Sequence, residues 1–332
     1  MSQNNNAAVG LDVGTSRLVV ARQDEGQYQF ESQLNAFVDI PFSRMTESVL
    51  KKEQVPHAVE GDSLVVYGNE AERFAALLDK EVRRPMTRGV LNPGEPDSIR
   101  LIREIAVSLT GKAAQKGQTL YFTVPAPPLG SDENVTYHEI TLQQAFAELG
   151  YEPHGINEGL AIVYAEMEAS NYSGIGISCG GGLCNVCLSY LSVPVLSFSI
   201  PKAGDFIDAN AASVTGERAN RIRILKEQSF YLNGTFADKI QQVLGVYYDD
   251  MIRALVNGLK EAFKNARSTP KFSKPIPLVL SGGTAMPKGF RDRFEKLMGE
   301  SSFPIELSEI RMAQDPLNTT ARGALVAALC NA

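Results

Sequence analysis

The sequence predicts an α/β protein in which two related domains flank a cleft and each domain carries a small subdomain. A glycine turn between two apolar runs occurs at residues 10–15 and again at residues 176–181, which begin 166 positions later. An apolar run, a tight turn and a returning apolar run are typical of a β-hairpin. Strands and helices follow each hairpin in a similar order, which indicates two halves of related design.

The composition is that of a globular chain with room for two cores. Of the 332 residues, 44% are hydrophobic and 21% are charged, and chains of this length ordinarily divide into domains. The net charge of −6 offers no attraction to a phosphate backbone, so no nucleic-acid partner is expected. No apolar run approaches the ~20 residues of a membrane span, and residues 1–6 lack the features of a signal peptide. We therefore expect a cytoplasmic protein with a short N-terminal tail and no direct membrane anchor.

The four cysteines allow two interpretations. Cys179, Cys184 and Cys187 have the spacing C-x4-C-x2-C, which formally matches a run of iron–sulfur ligands. Cys184 and Cys187 fall, however, in a stretch with the pattern of a strand, where no loop can fold around a cluster. We favour buried free thiols of a reduced cytoplasmic protein.

The predicted elements of the first half begin with a β meander. Short apolar runs are separated by the turn residues 24–26. A less regular stretch with Pro41 and Pro56 predicts a small inserted subdomain over about 33–77. The predicted strands are 8–11, 18–21, 28–30 and 120–124, and the predicted helices are 69–78, 97–110, 141–149 and 158–169.

The second half repeats this order after a connection at about residues 151–157. We place the first domain at 1–152 together with the C-terminal helix 318–332. The second domain is placed at 153–317, with its small subdomain at about 203–265. The predicted strands are 175–178, 183–191, 195–200 and 278–280. A helical zone is predicted over 206–228 and 237–266, a linker is expected at 268–277, and the predicted helices that follow are 288–298 and 320–329.

Four glycine-containing elements in a definite order carry the functional signal. Glycine turns after strands let backbone N–H groups approach phosphate oxygens closely. The four elements read DVGT at 12–15, INEG at 156–159, GGG at 180–182 and LSGG at 280–283. As a set they resemble the superfamily of actin, sugar kinases and heat-shock chaperone ATPases, whose two domains are ribonuclease H-like.

Further segments narrow the resemblance to bacterial actin-like proteins of the MreB and MamK kind. RPMTRGVL at 84–91 is similar to their RPLKDGVI segment, and AGDFID at 203–208 with TGER at 215–218 is similar to the entry of their second small subdomain. DPL at 315–317 with ARGA at 321–324 is similar to their C-terminal helix. The resemblance covers nearly the whole chain and implies an actin-like ATPase fold.

The resemblance also implies ATP or GTP with Mg²⁺ in the cleft. Asp12 would bind the Mg²⁺ through water, and Glu158 would orient the attacking water, so these two are the implied catalytic residues. The implied nucleotide contacts are Gly14, Thr15 and Ser16 in the first turn; Gly180, Gly181 and Gly182 in the second; Gly204 and Asp205 beside it; Glu217 and Lys226 near the ribose and base; and Gly282, Gly283, Thr284 and Met286 on the adenosine side.

The second glycine turn departs from the pattern of these relatives. They read approximately D-I-G-G-G-T-T-D where this chain reads S-C-G-G-G-L-C-N over residues 178–185. Ser178 and Asn185 replace two acids, and Leu183 replaces a threonine that helps to place water. The glycine cradle remains, so we expect nucleotide binding with slow hydrolysis or none, because catalysis of phosphoryl transfer depends on positioned polar groups.

Two functional hypotheses follow. The first is an actin-like protein that forms ATP-dependent cytoskeletal filaments through head-to-tail self-association, with cleft closure as its two-state element. The alternative is a non-polymerising nucleotide-binding adaptor resembling FtsA or PilM that recruits a protein partner, which the altered second turn favours. A small-molecule kinase fits less well, because it needs a base near an acceptor hydroxyl and the chain is short for a sugar kinase.

Overall fold

The computed structural model describes residues 8–131, 133, 135–236, 238–265, 272–300 and 302–331. The predicted N-terminal tail, the first residues of the predicted linker 268–277 and both ends of the predicted helix 237–266 lie outside the described residues. No helix in the described part of the chain is long and apolar enough to cross a membrane.

The first half alternates strands and helices around one mixed sheet. In chain order its elements are β1 (Val9–Val13), β2 (Arg17–Asp24), β3 (Gln27–Leu34), β4 (Phe37–Pro41), α1 (Arg44–Lys52), β5 (His57–Glu60), β6 (Ser63–Tyr67), α2 (Asn69–Leu77), β7 (Met86–Thr87), β8 (Val90–Leu91), α3 (Ser98–Thr110), β9 (Gln118–Val124), α4 (Thr136–Ala147), β10 (Tyr151–Asn157) and α5 (Glu158–Glu166). The sheet order is β10-β9-β1-β2-β3, with β1, β2 and β3 antiparallel and β9 and β10 parallel to β1. The predicted meander is confirmed.

The second half builds a sheet of the same design. Its elements are β11 (Gly174–Cys179), β12 (Cys184–Tyr190), β13 (Val193–Ile200), α6 (Gly204–Thr215), α7 (Ala219–Ser229), α8 (Lys239–Asn265), β14 (Ile276–Ser281), α9 (Phe290–Gly299), β15 (Leu307–Met312) and α10 (Thr319–Cys330). The order β15-β14-β11-β12-β13 matches the first sheet strand for strand, again as an antiparallel meander followed by two parallel strands. The predicted pair of related halves is confirmed.

Two parts of the chain differ from the sequence prediction. Residues 151–157 are the strand β10 and not a connection, because they pair with β9 along their whole length and bury Tyr151, Pro153 and Ile156. Pro153 is tolerated there because β10 lies at the edge of the sheet. The boundary drawn between 152 and 153 therefore falls inside a strand of the first sheet. β15 was not predicted, because its mixed sequence LSEIRM leaves most of its side chains partly exposed.

The inserted and small-subdomain regions have their own architecture. β4, β6 and β5 form a separate three-stranded antiparallel sheet, with α1 and α2 within the same insert. Residues 203–265 supply the helices α6, α7 and α8, and α6 packs against both of the others. On this basis we propose that each half is a domain with a small subdomain, and that α10 belongs with the first domain, since it packs on β1 and β9.

The helices α5 and α10 join the two halves through glycines. A Cβ on Gly323 of α10 would overlap the carbonyl oxygen of Ala161 in α5, and a Cβ on Gly10 of β1 would overlap the backbone of α10. Gly159 of α5 lies equally close to β12. The small residues that the sequence shows in the last helix therefore serve close backbone approach between layers.

Candidate functional site

A cavity of about 450 Å³ lies between the two halves, a volume typical of small-ligand pockets. Fifteen of the sixteen predicted site residues line it: Asp12, Gly14, Thr15, Ser16, Glu158, Gly180, Gly181, Gly182, Gly204, Asp205, Lys226, Gly282, Gly283, Thr284 and Met286. The departures Ser178, Leu183 and Asn185 line it as well.

Glu217 is the predicted site residue that the structure does not bring to the cavity. It lies before α7 and accepts a hydrogen bond of 2.8 Å from Arg221. The cavity is lined instead by Arg223, Lys226 and Glu227, which share one face of α7 at helical spacing. The sequence placed the right segment at the cleft, but Glu217 lies in the connection between α6 and α7 and not on the helix that lines the cavity.

Two buried polar residues hold the first glycine turn. Thr123 at the end of β9 accepts a hydrogen bond from Val13 N at 2.9 Å and donates to Asp12 Oδ1 at 2.7 Å. Asn35, which is fully buried after β3, donates from Nδ2 to Gly14 O at 2.9 Å. Neither was predicted. The sequence pattern that could have indicated them is a polar residue at the end of a strand. This pattern identifies a site residue only when the neighbouring strand is known.

The second glycine turn is oriented by α6 and Thr284. Asp205 N donates to Gly181 O at 2.8 Å, while Gly204 N and Thr284 Oγ1 donate to Gly180 O at 3.2 and 2.7 Å. In a trans peptide the N–H points opposite to the C=O. The N–H groups of Gly181 and Gly182 therefore point away from α6, where they can meet an anionic ligand.

Asp12, which is half-buried, and Glu158, which is buried, place two carboxyl groups at the cavity. Burial is the main reason that the pKa of Glu158 rises to about 8, and the nearby charge of Asp12 adds to it. The pKa of Asp12 rises to about 6 through burial, which its hydrogen bond from Thr123 partly offsets. Two such groups in one place share protons unless a cation is present. Their hard oxygen atoms fit Mg²⁺, whose charge would favour the ionised form of both.

Ser178 and Asn185 surround Glu158. Both side chains hydrogen-bond its carboxyl group and so partly lower its pKa. Because Asn185 Oδ1 accepts from Ala126 N at 2.8 Å, its amide nitrogen is the group that faces Glu158. Residues that the sequence identified only as lost acids are thus polar neighbours of the predicted catalytic carboxylate.

Leu183 seals one side of the second turn with an apolar contact. Its side chain lies against Gly89, which has a φ of +77°. A Cβ on Gly89 would lie 2.5 Å from Leu183 Cδ1, so glycine is required there both for its conformation and for space. A residue without donor or acceptor atoms occupies the place where relatives carry a threonine.

The α6–α7 side of the cavity contains a buried ion pair. Lys226 Nζ lies 2.8 Å from Asp208 Oδ2 and 3.3 Å from Gly204 O. Asp208 Oδ1 and the hydroxyl of Tyr248 are buried and have no hydrogen-bond partner among the described residues. Both residues line the cavity, so this end offers polar atoms to a ligand as well as to each other.

Three of the four cysteines lie in the core around the second sheet. Cys184 and Cys187 are on opposite faces of β12, in two different hydrophobic clusters. Cys179 on β11 lies opposite Cys184 in the strand register. All three are free and buried, as interpreted from the sequence, and burial raises the pKa of Cys187 to about 11. Cys330 is free but exposed, so the buried-thiol interpretation is wrong for it.

Two sheets of matched topology, with glycine turns facing a shared cavity, define the fold of the actin-like ATPase superfamily. A subunit of the MamK double helical filament superposes with a TM-score of 0.71 at 18% identity, over 97% of this chain and 98% of that one. A non-polymerising MamK mutant bound to AMPPNP gives 0.61 at 16% identity, over 97% and 98%. The ethanolamine utilization protein EutJ from Carboxydothermus hydrogenoformans gives 0.55 at 17% identity, over 96% and 89%.

The particular family is given by sequence. The model of the volactin family matches residues 7–328, and the chain belongs to that family. No curated protein matches the sequence significantly.

Proposed function

We propose that this chain is a cytoplasmic actin-like protein that binds a nucleoside triphosphate with Mg²⁺ and assembles head to tail into cytoskeletal filaments. The observation that carries the proposal is the pair of glycine turns, 12–15 and 180–182, which line one cavity together with two carboxyl groups. Turn backbones can cradle phosphates, and carboxylates suit the cation that accompanies a triphosphate. ATP and GTP are both candidates, and AMPPNP bound to the similar MamK mutant supports the adenine nucleotide.

Slow hydrolysis is part of the same proposal. Asp12 would hold Mg²⁺ through water, and the cation would supply charge neutralisation at the phosphates. Glu158 would orient the attacking water, but burial raises its pKa above neutrality in the free protein. Leu183 adds no polar atom to this side of the cavity, so binding is better supported than turnover.

Filament formation rests on the similarity to MamK. Identical subunits that associate head to tail form an open filament when the rotation between them does not close a ring. The filament subunit of MamK superposes better on this chain than the non-polymerising mutant does. We expect this order of TM-scores if the two halves have the same relative orientation here as in a filament.

Pelleting and negative-stain microscopy test the proposal. With triphosphate and Mg²⁺ we expect filaments above a critical concentration, and less polymer with Asp12→Asn because the cation loses its carboxylate. Asp24→Asn, at the exposed end of β2, is the matched control and should polymerise like the wild type. Persistent monomer at high protein concentration would contradict filament formation.

The altered second turn favours one alternative, a nucleotide-binding adaptor that recruits a protein partner. A nucleotide that is not hydrolysed can act as a permanent structural ligand. The adaptor hypothesis predicts a monomer that retains its nucleotide through gel filtration. The filament hypothesis predicts that the protein exchanges its nucleotide and assembles. Gel filtration with measurement of bound nucleotide, together with the pelleting assay, therefore separates the two hypotheses.

A further inference from the structure

The hairpin of β7 and β8 contacts both glycine turns although it belongs to neither. We define residues 84–91 as the connector hairpin. Gly89 at its tip donates its N–H to Thr15 Oγ1 at 3.0 Å. The same tip lies against Gly182 of the second turn. A ligand bound between the two turns would therefore lie close to the connector hairpin.

Arg84, at the start of the connector hairpin, forms an ion pair across the cleft. Its Nη1 lies 2.7 Å from Asp205 Oδ1 in the second half and 3.4 Å from Ser16 Oγ in the first. Asp205 in turn donates its backbone N–H to Gly181 O. A Cβ on Gly181 would lie 3.5 Å from Asp205 Oδ1, so the ion pair stands directly beside the second glycine turn.

The other cationic side chains of the cavity have different surroundings. In the described part of the chain, Lys226 is buried against Asp208, Arg223 pairs with Glu72 and Glu227, and Arg17 donates to Ser32 Oγ at 3.2 Å. Lys288 also lines the cavity. Arg84 is the cation that bonds to residues of both halves at the glycine turns. Its side chain is 23% exposed and that of Asp205 is 39% exposed, so solvent weakens their pairing.

We propose that Arg84 binds the terminal phosphate of a nucleoside triphosphate and that this contact replaces its ion pair with Asp205. The inference rests on the proposed nucleotide-binding function. A phosphate between the two glycine turns would compete with Asp205 for the guanidinium, because Arg84 reaches Ser16 of the first turn as well as Asp205 beside the second. A terminal phosphate offers more charge and more acceptor oxygens than one partly exposed carboxylate. A diphosphate lacks that group and leaves the ion pair in place.

The consequence is a contact between the halves that depends on the nucleotide. With diphosphate, Arg84 connects the first half to α6 through Asp205. With triphosphate, it connects the connector hairpin to the ligand, and Asp205 is released. The exchange changes no covalent bond, and it gives the start of α6 two arrangements that the terminal phosphate selects.

Isothermal titration of the full chain with Mg²⁺–AMPPNP and with Mg²⁺–ADP tests the proposal. For Arg84→Ala we expect affinity for AMPPNP to fall at least about tenfold and affinity for ADP to change less than about twofold, since a charge-assisted hydrogen bond is lost to one ligand only. Arg84→Lys should fall between, because an ammonium cannot bond two oxygens in the same plane. Asp205→Asn should raise the preference for AMPPNP over ADP.

Arg103→Ala is the matched control, because it removes an arginine that pairs with Glu148 on the surface of α3. Equal losses for both nucleotides in Arg84→Ala, or no loss, would overturn the role of Arg84 while leaving nucleotide binding intact. Failure of the wild type to bind either nucleotide would refute the proposed function itself. If Arg84→Ala does not fold, an unchanged AMPPNP-to-ADP ratio in Asp205→Asn overturns the proposal on its own.

Discussion

Ser178 and Asn185 show how single residues set the chemistry of the cavity. Both hydrogen-bond Glu158, whose pKa is already raised to about 8 by burial and by Asp12. Acids at these two positions would bring further negative charge beside the buried carboxyl group of Glu158. The neutral side chains therefore add no charge repulsion to the nucleotide-free protein and offer fewer ligands to a cation, which is the basis of the proposed slow hydrolysis.

Introducing the residues of the MreB-like pattern at the second turn tests the proposed slow hydrolysis. The variant Ser178→Asp/Leu183→Thr should raise the rate of phosphate release at least about tenfold, equivalent to about 1.4 kcal/mol of barrier, because it returns a carboxylate and a water-binding hydroxyl. Glu158→Gln in the same background should remove the gain. The measurement is phosphate release under single-turnover conditions. An unchanged rate in the double variant would place the limitation elsewhere.

His138 makes stability depend on pH. It is buried in α4, its Nδ1 accepts from Leu91 N at 3.2 Å, and burial lowers its pKa to about 4. The unfolded chain, with a histidine pKa near 6.5, binds the proton first. The free energy of unfolding should therefore fall as the pH drops from about 6.5 to 4, by up to about 3 kcal/mol.

The variant His138→Asn checks this prediction, since it retains an acceptor for Leu91 N but does not titrate. Urea unfolding between pH 4 and pH 8 should show a smaller acid loss for the variant than for the wild type. Above about pH 7 the difference between the two proteins should be constant. Parallel curves over the whole range would contradict the assignment.

At the scale of elements, the crossing of α5 and α10 decides how the two halves meet. The sequence predicts both helices, and the structure confirms them with α5 three residues shorter, ending at Glu166. Strands with plain apolar patterns such as β9 and β14 were also predicted. β10 and β15 were missed, because an edge strand that is only half buried has no strong pattern until its neighbour is known.

Replacing Gly323 by alanine tests the close helix crossing. Alanine is the better helix former by about 1 kcal/mol, but its Cβ would overlap Ala161 O, so we expect a net loss of about 2–3 kcal/mol of stability. Gly299→Ala, at the end of α9 with open space around it, is the matched control and should be neutral or slightly stabilising. Urea unfolding measures both, and similar stabilities for the two variants would refute the packing argument.

At the scale of the whole molecule, the cleft is spanned by ion pairs between the halves. Arg84 pairs with Asp205 beside the second turn. Arg223 of α7 pairs with Glu72 of α2. Arg218, just before α7, pairs with Asp79, just after α2. The two pairs near α2 differ in burial: the side chain of Arg223 is 11% exposed and that of Arg218 is 60% exposed. Exposed pairs contribute little, so Arg223 should matter more for keeping the cleft closed.

Nucleotide dissociation measures this difference. With a fluorescent triphosphate in stopped flow, Arg223→Ala should release ligand about tenfold faster, a change of about 1.4 kcal/mol, because a partly buried carboxylate loses its partner. Arg218→Ala is the matched control and should stay within about twofold of the wild type. Equal rates for the two variants would show that the pairs do not hold the cleft.

The sequence by itself determined the fold class, the repeated hairpin and which residue types stand at the turns, because turns, strands and helices follow from local conformation and periodicity. Only the tertiary structure decided which groups face one another: Thr123 with Asp12, Asn185 with Glu158, and Arg84 with Asp205. Partners of this kind lie tens of residues or more apart, and their contact depends on how helices and sheets pack. The misplacement of Glu217 has the same cause, since the packing of α6 and α7 decides which residues of this segment reach the cavity.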